Sequence, residues 1–276
     1  MQQQRFEQKY LVEETVALQI RDFVRCYLEA DEYGAGYQDG AYPVHNLYLD
    51  SDALRLAQDT INGNKNRYKL RLRFYNEDPA TPVFFEVKQR VNNCILKQRV
   101  AVRREAVAGL LAGQPHDPAH LFAPSPKNLA SLRRFFDLLA EIHARPKVHV
   151  AYLREAYVQP ENNSVRVTLD RQVRAEAEVA PRLATQMENP VLAFGNAVIL
   201  ELKFTDRFPK WFSELVRVFG CLQCGAAKYV EGAELIGLDR LGAPVPETPP
   251  DRARTDWERS RVTARAALPS AQEQKL

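Results

Sequence analysis

Hydrophobic and charged residues alternate along a series of short segments, and this alternation is the strongest structural signal in the chain. Side chains on a β-strand point to opposite faces with a period of two, so each segment has one charged row and one apolar row. We predict strands at residues 5–11, 44–50, 68–75, 83–91, 95–103, 147–159, 165–175 and 197–204. Turn residues at 78–79, 92–93 and 160–163 separate neighbouring strands, which favours antiparallel pairing.

Other segments carry apolar residues at helical spacing. They predict helices at about residues 13–29, 106–112, 128–143 and 209–221, with a short helical stretch from Ser51. In the helix at 128–143, for example, Leu132, Phe136 and Leu139 fall on one face. Because the apolar rows of the strands must be buried, we expect amphipathic helices of this kind to cover them.

Lys and Arg dominate the charged rows of several strands. In residues 69–74, three cations alternate with three apolar residues. A charged row that simply faces water would explain a single strand of this type. Rows of like charge on neighbouring strands repel one another, however, unless something anionic lies among them. A closed sheet of about eight strands would turn these rows inward and leave room for one slender ligand.

We therefore predict an α+β fold: a closed antiparallel β tunnel of about eight strands, with a cation-lined lumen and helices packed outside. Such a lumen is unfavourable when empty, because its charges are partly desolvated. A chain of phosphates would compensate these charges, since arginine makes bidentate contacts to phosphate oxygens and lysine supplies compact point charges. The pattern thus favours a polyphosphate or a nucleoside triphosphate as ligand.

The composition adds limits to this picture. A chain of 276 residues can form one large domain, and 45% hydrophobic and 26% charged residues are ordinary for a globular protein. A net charge of +3 is too small to indicate a nucleic-acid binder. We find neither a secretory signal nor a stretch of about 18 apolar residues, and expect a cytoplasmic protein. The composition changes after Gly242, so we predict a domain at 1–242 and a Pro-rich, charged, disordered tail at 243–276.

Four carboxylates stand among the cations: Glu7, Glu86, Asp170 and Glu201. Each of them could simply pair with a neighbouring Lys or Arg. They could also bind a metal, because Mg²⁺ or Mn²⁺ is commonly held by one or two carboxylates together with substrate phosphates. Glu201 is the best candidate and Glu86 the second. The Cys221–Cys224 pair is a weak zinc signal, because no second pair or nearby histidine accompanies it.

Taken in order, several segments resemble the VTC domain, the polyphosphate polymerase domain within the triphosphate tunnel metalloenzyme superfamily. The resemblance runs from about Arg5 to Gly237. The motifs are Arg5-x-Glu7-x-Lys9-Tyr10, Asn46-Leu47-Tyr48-Leu49-Asp50, Lys69-Leu70-Arg71-Leu72-Arg73, Phe85-Glu86-Val87-Lys88, Tyr152-x-Arg154, Arg166-Val167-Thr168-Leu169-Asp170, Leu200-Glu201-Leu202-Lys203 and Lys228-Tyr229.

The resemblance implies a domain that transfers the γ-phosphate of ATP to a growing inorganic polyphosphate, assisted by a divalent metal (Mn or Mg). It implies catalytic roles for Lys9, Arg71, Arg73, Lys88, Arg154, Arg166 and Glu201. It implies substrate binding by Lys69, Arg90, Lys97, Arg99, Tyr152, Lys203 and Lys228, and metal binding by Glu201 and Glu86. The expected partners are ATP and polyphosphate, without nucleic acid. A membrane-associated partner protein cannot be read from the sequence.

One departure from the superfamily pattern bears on the reaction. Related hydrolases and cyclases begin with a Glu-x-Glu-x-Lys strand, whereas this chain has Arg5 at the first Glu position. Fewer carboxylates favour a polymerase over a triphosphatase. The alternatives that remain are a triphosphatase on the same scaffold and a non-catalytic module that binds polyphosphate or inositol phosphates. A nucleic-acid binder ranks last, because the aromatic residues are expected mostly on the apolar faces.

Overall fold

A computed structural model describes residues 5–37, 39–92, 94–160, 164–205 and 207–242. Ten strands form one antiparallel sheet. They are β1 (Arg5–Val12), β2 (Glu29–Ala30), β3 (Ala41–Asp50), β4 (Asn66–Phe74), β5 (Val83–Val91), β6 (Cys94–Val102), β7 (Arg145–Val158), β8 (Val165–Ala177), β9 (Val191–Leu192) and β10 (Val198–Thr205). The predicted tail at 243–276 and the turn residues 93 and 161–163 lie outside the described residues.

The strand order is β2-β7-β3-β4-β5-β6-β1-β10-β8-β9, and β7 also pairs with β8. The β7–β8 ladder extends from Val148 opposite Ala177 to Val158 opposite Arg166. This additional ladder curls the sheet back on itself. One face of the curled sheet therefore surrounds a cavity, and the other face is available for helices.

The prediction of a closed tunnel of about eight strands was wrong. The sheet has ten strands, and among the described residues it is not closed into a barrel. Among the described residues, β1 and β6 share one registered pair, Arg5 with Ile95. The described part of β1 begins at Arg5, and antiparallel strands that meet at their first residues run away from each other, so β1 and β6 share no further registered pair among the described residues. We call this junction the β1–β6 seam.

The helices are α1 (Glu14–Val24), α2 (Arg55–Ile61), α3 (Val107–Leu111), α4 (Pro126–Glu141), α5 (Lys210–Val218), α6 (Lys228–Ile236) and α7 (Leu238–Leu241). Short 3₁₀ turns lie at Glu32–Gly34, Arg104–Ala106 and Pro118–His120. The first five helices fall within or close to the predicted segments. The sequence patterns did not predict α6, α7 or the two-residue strands β2 and β9.

Apolar side chains between the helices and the outer face of the sheet form most of the core. On α4, Phe135 packs against Phe85 of β5, with ring centroids 5.0 Å apart. On α5, Phe212 is buried beside Phe204 of β10. Covering the apolar rows in this way leaves the charged rows on the inner face.

Helix α6 contacts β7 and β8 and lines one end of the cavity. Its Gly232 lies so close to β8 that an added Cβ would be 2.5 Å from the Cβ of Ala175. The first turn of α6 carries Lys228 and Tyr229, and the Tyr229 hydroxyl donates a hydrogen bond to Asp50 at 2.8 Å. This close packing fixes Lys228 at the cavity wall.

Candidate functional site

A cavity of about 2190 Å³ lies inside the curled sheet. Alternate residues of eight strands face it, as the period of two requires. Thirteen cations line it, and we call this space the basic cavity: Lys9, Arg67, Lys69, Arg71, Arg73, Lys88, Arg90, Lys97, Arg99, Arg154, Arg166, Lys203 and Lys228. Tyr152 and Glu201 line it as well. The fold thus brings together all the site residues predicted from the sequence except Glu86, which lies behind its cations.

Glu86 of β5 is fully buried and is enclosed by cations from the two neighbouring strands, β4 and β6. Four of them lie within 4.0 Å of its carboxylate: Arg71, Arg73, Lys97 and Arg99. The shortest contact is 2.6 Å, from Arg71. Burial alone would raise the pKa of Glu86, but the neighbouring arginines and Lys97 hold it well below its usual range. Glu86 is therefore an ionised counter-charge that holds four cations in place.

Glu201 on β10 is a second buried carboxylate that is enclosed by cations. The cations within 4.0 Å of it are Lys9, Arg154, Lys203 and Lys228, at distances from 2.5 to 3.4 Å. Burial acts to raise the pKa of Glu201, but Lys203, Lys228 and Lys9 outweigh it and keep the pKa well below normal. Strands β1, β7 and β10 and helix α6 all supply partners, so this cluster joins distant parts of the chain.

The other two carboxylates also pair with cations. Both oxygens of Asp170 accept hydrogen bonds from Arg154 at 2.7 Å, and Lys228 lies 2.7 Å from one of them. Glu7 lies 3.0 Å from Lys88 and 3.2 Å from Lys9. The simpler alternative, pairing with neighbouring Lys or Arg, therefore describes the geometry of both residues.

The cations of the cavity outnumber these four carboxylates. Among the described residues, Lys69 has no acidic partner, although it is half-buried in the cavity wall. Burial and the charges of Lys9, Lys88 and Arg67 lower the pKa of Lys69 well below its ordinary value. No acidic group among the described residues balances a positive charge on Lys69, so an anion in the cavity would favour its protonated form.

Two more lysines have lowered pKa values despite an acidic partner. Burial, partly offset by Glu201, lowers the pKa of Lys203 to about 8. Burial, partly offset by Glu86, lowers the pKa of Lys97 to about 7. Because the Lys97 side chain is 42% exposed, water offsets part of this effect, whereas Lys203 is only 21% exposed. Extra negative charge in the cavity would favour the protonated form of both.

Tyrosines also face the cavity, among them Tyr48 and Tyr152. The Tyr152 hydroxyl accepts a hydrogen bond from Arg73 at 3.3 Å, and Tyr48 accepts one from Arg71 at 3.2 Å. Burial would raise the pKa of Tyr152, but Arg154 and Arg73 lower it. These hydroxyls orient the guanidinium groups around the cavity.

Arg166 has a partner that the sequence patterns missed. Its guanidinium contacts the buried carboxylate of Asp31 and donates to the Tyr42 hydroxyl at 3.4 Å. Asp31 lies in the Gly- and Tyr-rich loop before β3, where no periodicity marks a side chain as inward-facing. The local signal was its place directly before a turn, since Asp commonly caps such turns.

The resemblance implies a divalent metal, so we compared the donors with what such an ion needs. Mg²⁺ and Mn²⁺ bind oxygen ligands. Both oxygens of Glu201 and both of Glu86 already lie within 4.0 Å of Lys or Arg nitrogens. Within the described part of the chain, no group of three or more His, Cys, Asp or Glu side chains could hold an ion. The residues do not fit an ion held by the protein alone.

These features define a class of protein: an antiparallel sheet curled around a cavity in which cations outnumber carboxylates. A family profile described as "VTC domain" matches residues 4–236. The chain therefore belongs to the VTC domain family, which confirms the resemblance found in its motifs.

Individual relatives are more distant. Vacuolar transporter chaperone complex subunit 2 of Schizosaccharomyces pombe (strain 972 / ATCC 24843) is 26% identical over 131 residues, which are 45% of this chain and 18% of that protein. This chain thus spans less than a fifth of that relative's length.

Two solved structures show a weaker likeness. A candidate adenylate cyclase from Bacillus halodurans has 14% identity and a TM-score of 0.45, covering 82% of this chain and 94% of that chain. A protein from Pyrococcus horikoshii OT3 has 14% identity and a TM-score of 0.40, covering 82% and 96%. TM-scores below 0.5 support no conclusion about fold or function.

A helix that crosses a membrane needs about 20 predominantly apolar residues. Within the described residues, none is both long enough and apolar enough to cross a membrane.

Proposed function

We propose that this domain is a polyphosphate polymerase, which transfers the γ-phosphoryl group of ATP to the end of a growing inorganic polyphosphate chain. The observation that carries the proposal is the excess of cations in the basic cavity, above all Lys69, which has no acidic partner among the described residues. A phosphate chain would supply the missing negative charge along the whole cavity. Membership of the VTC domain family supports this ligand.

The chemistry needs little from the protein beyond position and charge. A terminal oxygen of the polyphosphate attacks the γ-phosphorus of ATP and forms a new P–O bond. The bond between the γ-phosphorus and the β–γ bridging oxygen breaks, and ADP leaves with the electron pair. Because the attacking phosphate oxygen is already ionised, the step requires no general base.

The proposed roles of the side chains follow from their geometry. Arg71 and Arg73 are held by Glu86 and by tyrosine hydroxyls, so their guanidinium groups are fixed before a phosphate arrives. Lys9 and Lys203, held by Glu201, would neutralise charge on the transferred phosphoryl group. A divalent ion, where the reaction uses one, would enter with the nucleotide. The cytoplasmic location expected from the sequence stays a prediction.

A non-catalytic module that binds polyphosphate is the second candidate. The observation that favours it is the enclosure of Glu201 by four cations, which leaves this carboxylate paired. A triphosphatase has less support, because Glu7, Glu86, Asp170 and Glu201 are all paired with cations.

One experiment separates these functions. The purified protein is incubated with ATP and Mn²⁺, and the products are resolved on a gel stained for polyphosphate. A ladder of phosphate chains together with ADP is the expected result. Free orthophosphate without a ladder would indicate the triphosphatase. Tight polyphosphate binding without turnover would indicate the binding module.

A further inference from the structure

Four aromatic rings form an arc at one end of the basic cavity, and we call them the aromatic mouth: Tyr33, Tyr42, Tyr75 and Phe84. Neighbouring ring centroids in this order are 6.1, 6.2 and 6.1 Å apart. Tyr75 and Phe84 flank the turn that joins β4 to β5, where the chain leaves the sheet. Tyr33 is 63% exposed. The arc therefore lies at the cavity's rim and is accessible from solvent.

An arginine completes this surface. The Arg99 guanidinium lies 3.5 Å from the centre of the Phe84 ring and donates to the Tyr75 hydroxyl at 3.3 Å. Its side chain is 35% exposed, so it is accessible to a ligand. Aromatic rings beside an arginine provide the flat, polarisable surface on which nucleobases stack.

The position of Tyr33 is fixed by buried polar contacts. Its backbone N–H donates to the Asp31 carboxylate at 2.9 Å, and that carboxylate is bound in turn by Arg166 of β8. Arg166 also donates to the Tyr42 hydroxyl at 3.4 Å. Two rings of the arc are thus tied to the cavity wall through one arginine, although Tyr33 itself lies in a loop.

We propose that the aromatic mouth binds the base of a nucleoside triphosphate, whose phosphates extend into the cavity along β4. Inward-facing side chains of a strand follow one another at about 6.6–6.8 Å. The side chains of Tyr75, Arg73 and Arg71 follow one another in this order from the rim of the cavity to Glu86. The inference rests on the proposed function and adds that the donor is recognised by its base as well as by its phosphates.

The test compares two probes, ATP and inorganic tripolyphosphate, which share a phosphate chain and differ in the nucleoside. Isothermal titration calorimetry measures both affinities for the full chain and for Tyr33→Ala and Tyr75→Leu. We expect ATP binding to weaken on the order of tenfold, with tripolyphosphate changed by less than about twofold. Tyr33→Trp, which keeps a stacking surface, should retain ATP affinity. Tyr37→Ala is the matched control, since Tyr37 is 46% exposed in the same loop.

The outcomes separate this inference from the function on which it rests. Equal weakening of both probes in the mouth variants, or no weakening of either, would overturn the base site while phosphate binding stands. Wild-type protein that binds neither probe would overturn the proposed function and the base site together.

Discussion

Glu86 and Glu201 each hold four cations, and this arrangement has two effects. It fixes long, flexible side chains in the geometry that a phosphate chain would meet. It also balances part of the positive charge when the cavity is empty. Removing one partner of a buried ion pair costs about 3–5 kcal/mol, because the remaining charge is left unpaired.

We expect Glu201→Gln to lower the free energy of unfolding by roughly 3–5 kcal/mol. It should also tighten tripolyphosphate binding, because Lys9, Lys203 and their neighbours lose an internal counter-charge. Thermal unfolding with and without tripolyphosphate measures both effects. Turnover is expected to fall, since these lysines are no longer held in one position.

The matched control is Glu14→Gln, which removes a half-exposed carboxylate that pairs with Arg171. Exposed pairs contribute about 0–1 kcal/mol, so stability should change little. Unchanged stability of Glu201→Gln, or loss of tripolyphosphate binding in it, would argue against the counter-charge role of Glu201.

The lowered pKa of Lys203, to about 8, predicts a pH-dependent affinity. In the complex, phosphates favour protonated Lys203, so the complex binds more protons than the empty protein near this pH. Tripolyphosphate affinity should therefore fall as pH rises through about 8, with proton uptake on binding. Calorimetry at pH 7 and 9, in buffers of different ionisation enthalpy, measures the affinity and the proton uptake. The Lys203→Arg variant keeps its positive charge over this pH range, so its tripolyphosphate affinity should depend less on pH. An affinity that falls equally steeply with pH in this variant would exclude Lys203 as the cause.

At the scale of elements, α6 shows what the sequence patterns could not predict. Strands such as β4 and β5 were predictable because inner charges and outer apolar residues alternate along them. Helix α6 is only nine residues long, has Gly232 in its middle, and buries Lys228 as well as Tyr229 and Ala233. A short helix that is buried on several sides gives no amphipathic period.

Gly232→Ala tests the close contact between α6 and β8. Alanine favours a helix by about 1 kcal/mol over glycine, but its Cβ would lie 2.5 Å from the Cβ of Ala175. We expect a net destabilisation of about 1–3 kcal/mol. Tripolyphosphate affinity should weaken too, because the shift of α6 moves Lys228. Thermal unfolding and titration calorimetry measure the two effects.

Gly36→Ala is the control for this substitution, since nothing lies within 4 Å of a Cβ added at Gly36. Equal stability of the two variants would mean that α6 moves away from β8 without cost. The contact would then not be what places Lys228.

At the scale of the whole molecule, the residues that line the cavity could be predicted from the sequence, whereas the ion pairs between distant elements could not. Alternation alone placed Arg71 and Lys88 on inner rows. The contact of Lys228 with Asp170 joins α6 to β8, and the contact of Arg166 with Asp31 joins β8 to a loop. Such pairs depend on how the sheet curls, which no local pattern records. The sequence patterns did not predict the β1–β6 seam either, because the number of strands does not determine how far each pair of strands is hydrogen-bonded.

The predicted domain boundary leads to a test of the complete fold. Residues up to Gly242 already provide the cavity, and the Leu241 carbonyl accepts a hydrogen bond from Lys147 at 2.9 Å. A chain ending at Gly242 should keep the melting temperature and tripolyphosphate affinity of the full chain. Removing residues 238–242 as well should lower the melting temperature, because that contact is lost. A large loss of affinity in the chain that ends at Gly242 would place part of the ligand site in 243–276.

The β1–β6 seam also has a topological consequence. A polymer can enter or leave a fully closed ring only by one of its ends. Among the described residues, the wall between β1 and β6 is held by one registered pair, Arg5 with Ile95. If β1 and β6 separated there, a phosphate chain longer than the cavity would leave sideways from its middle, without sliding its whole length past every cation.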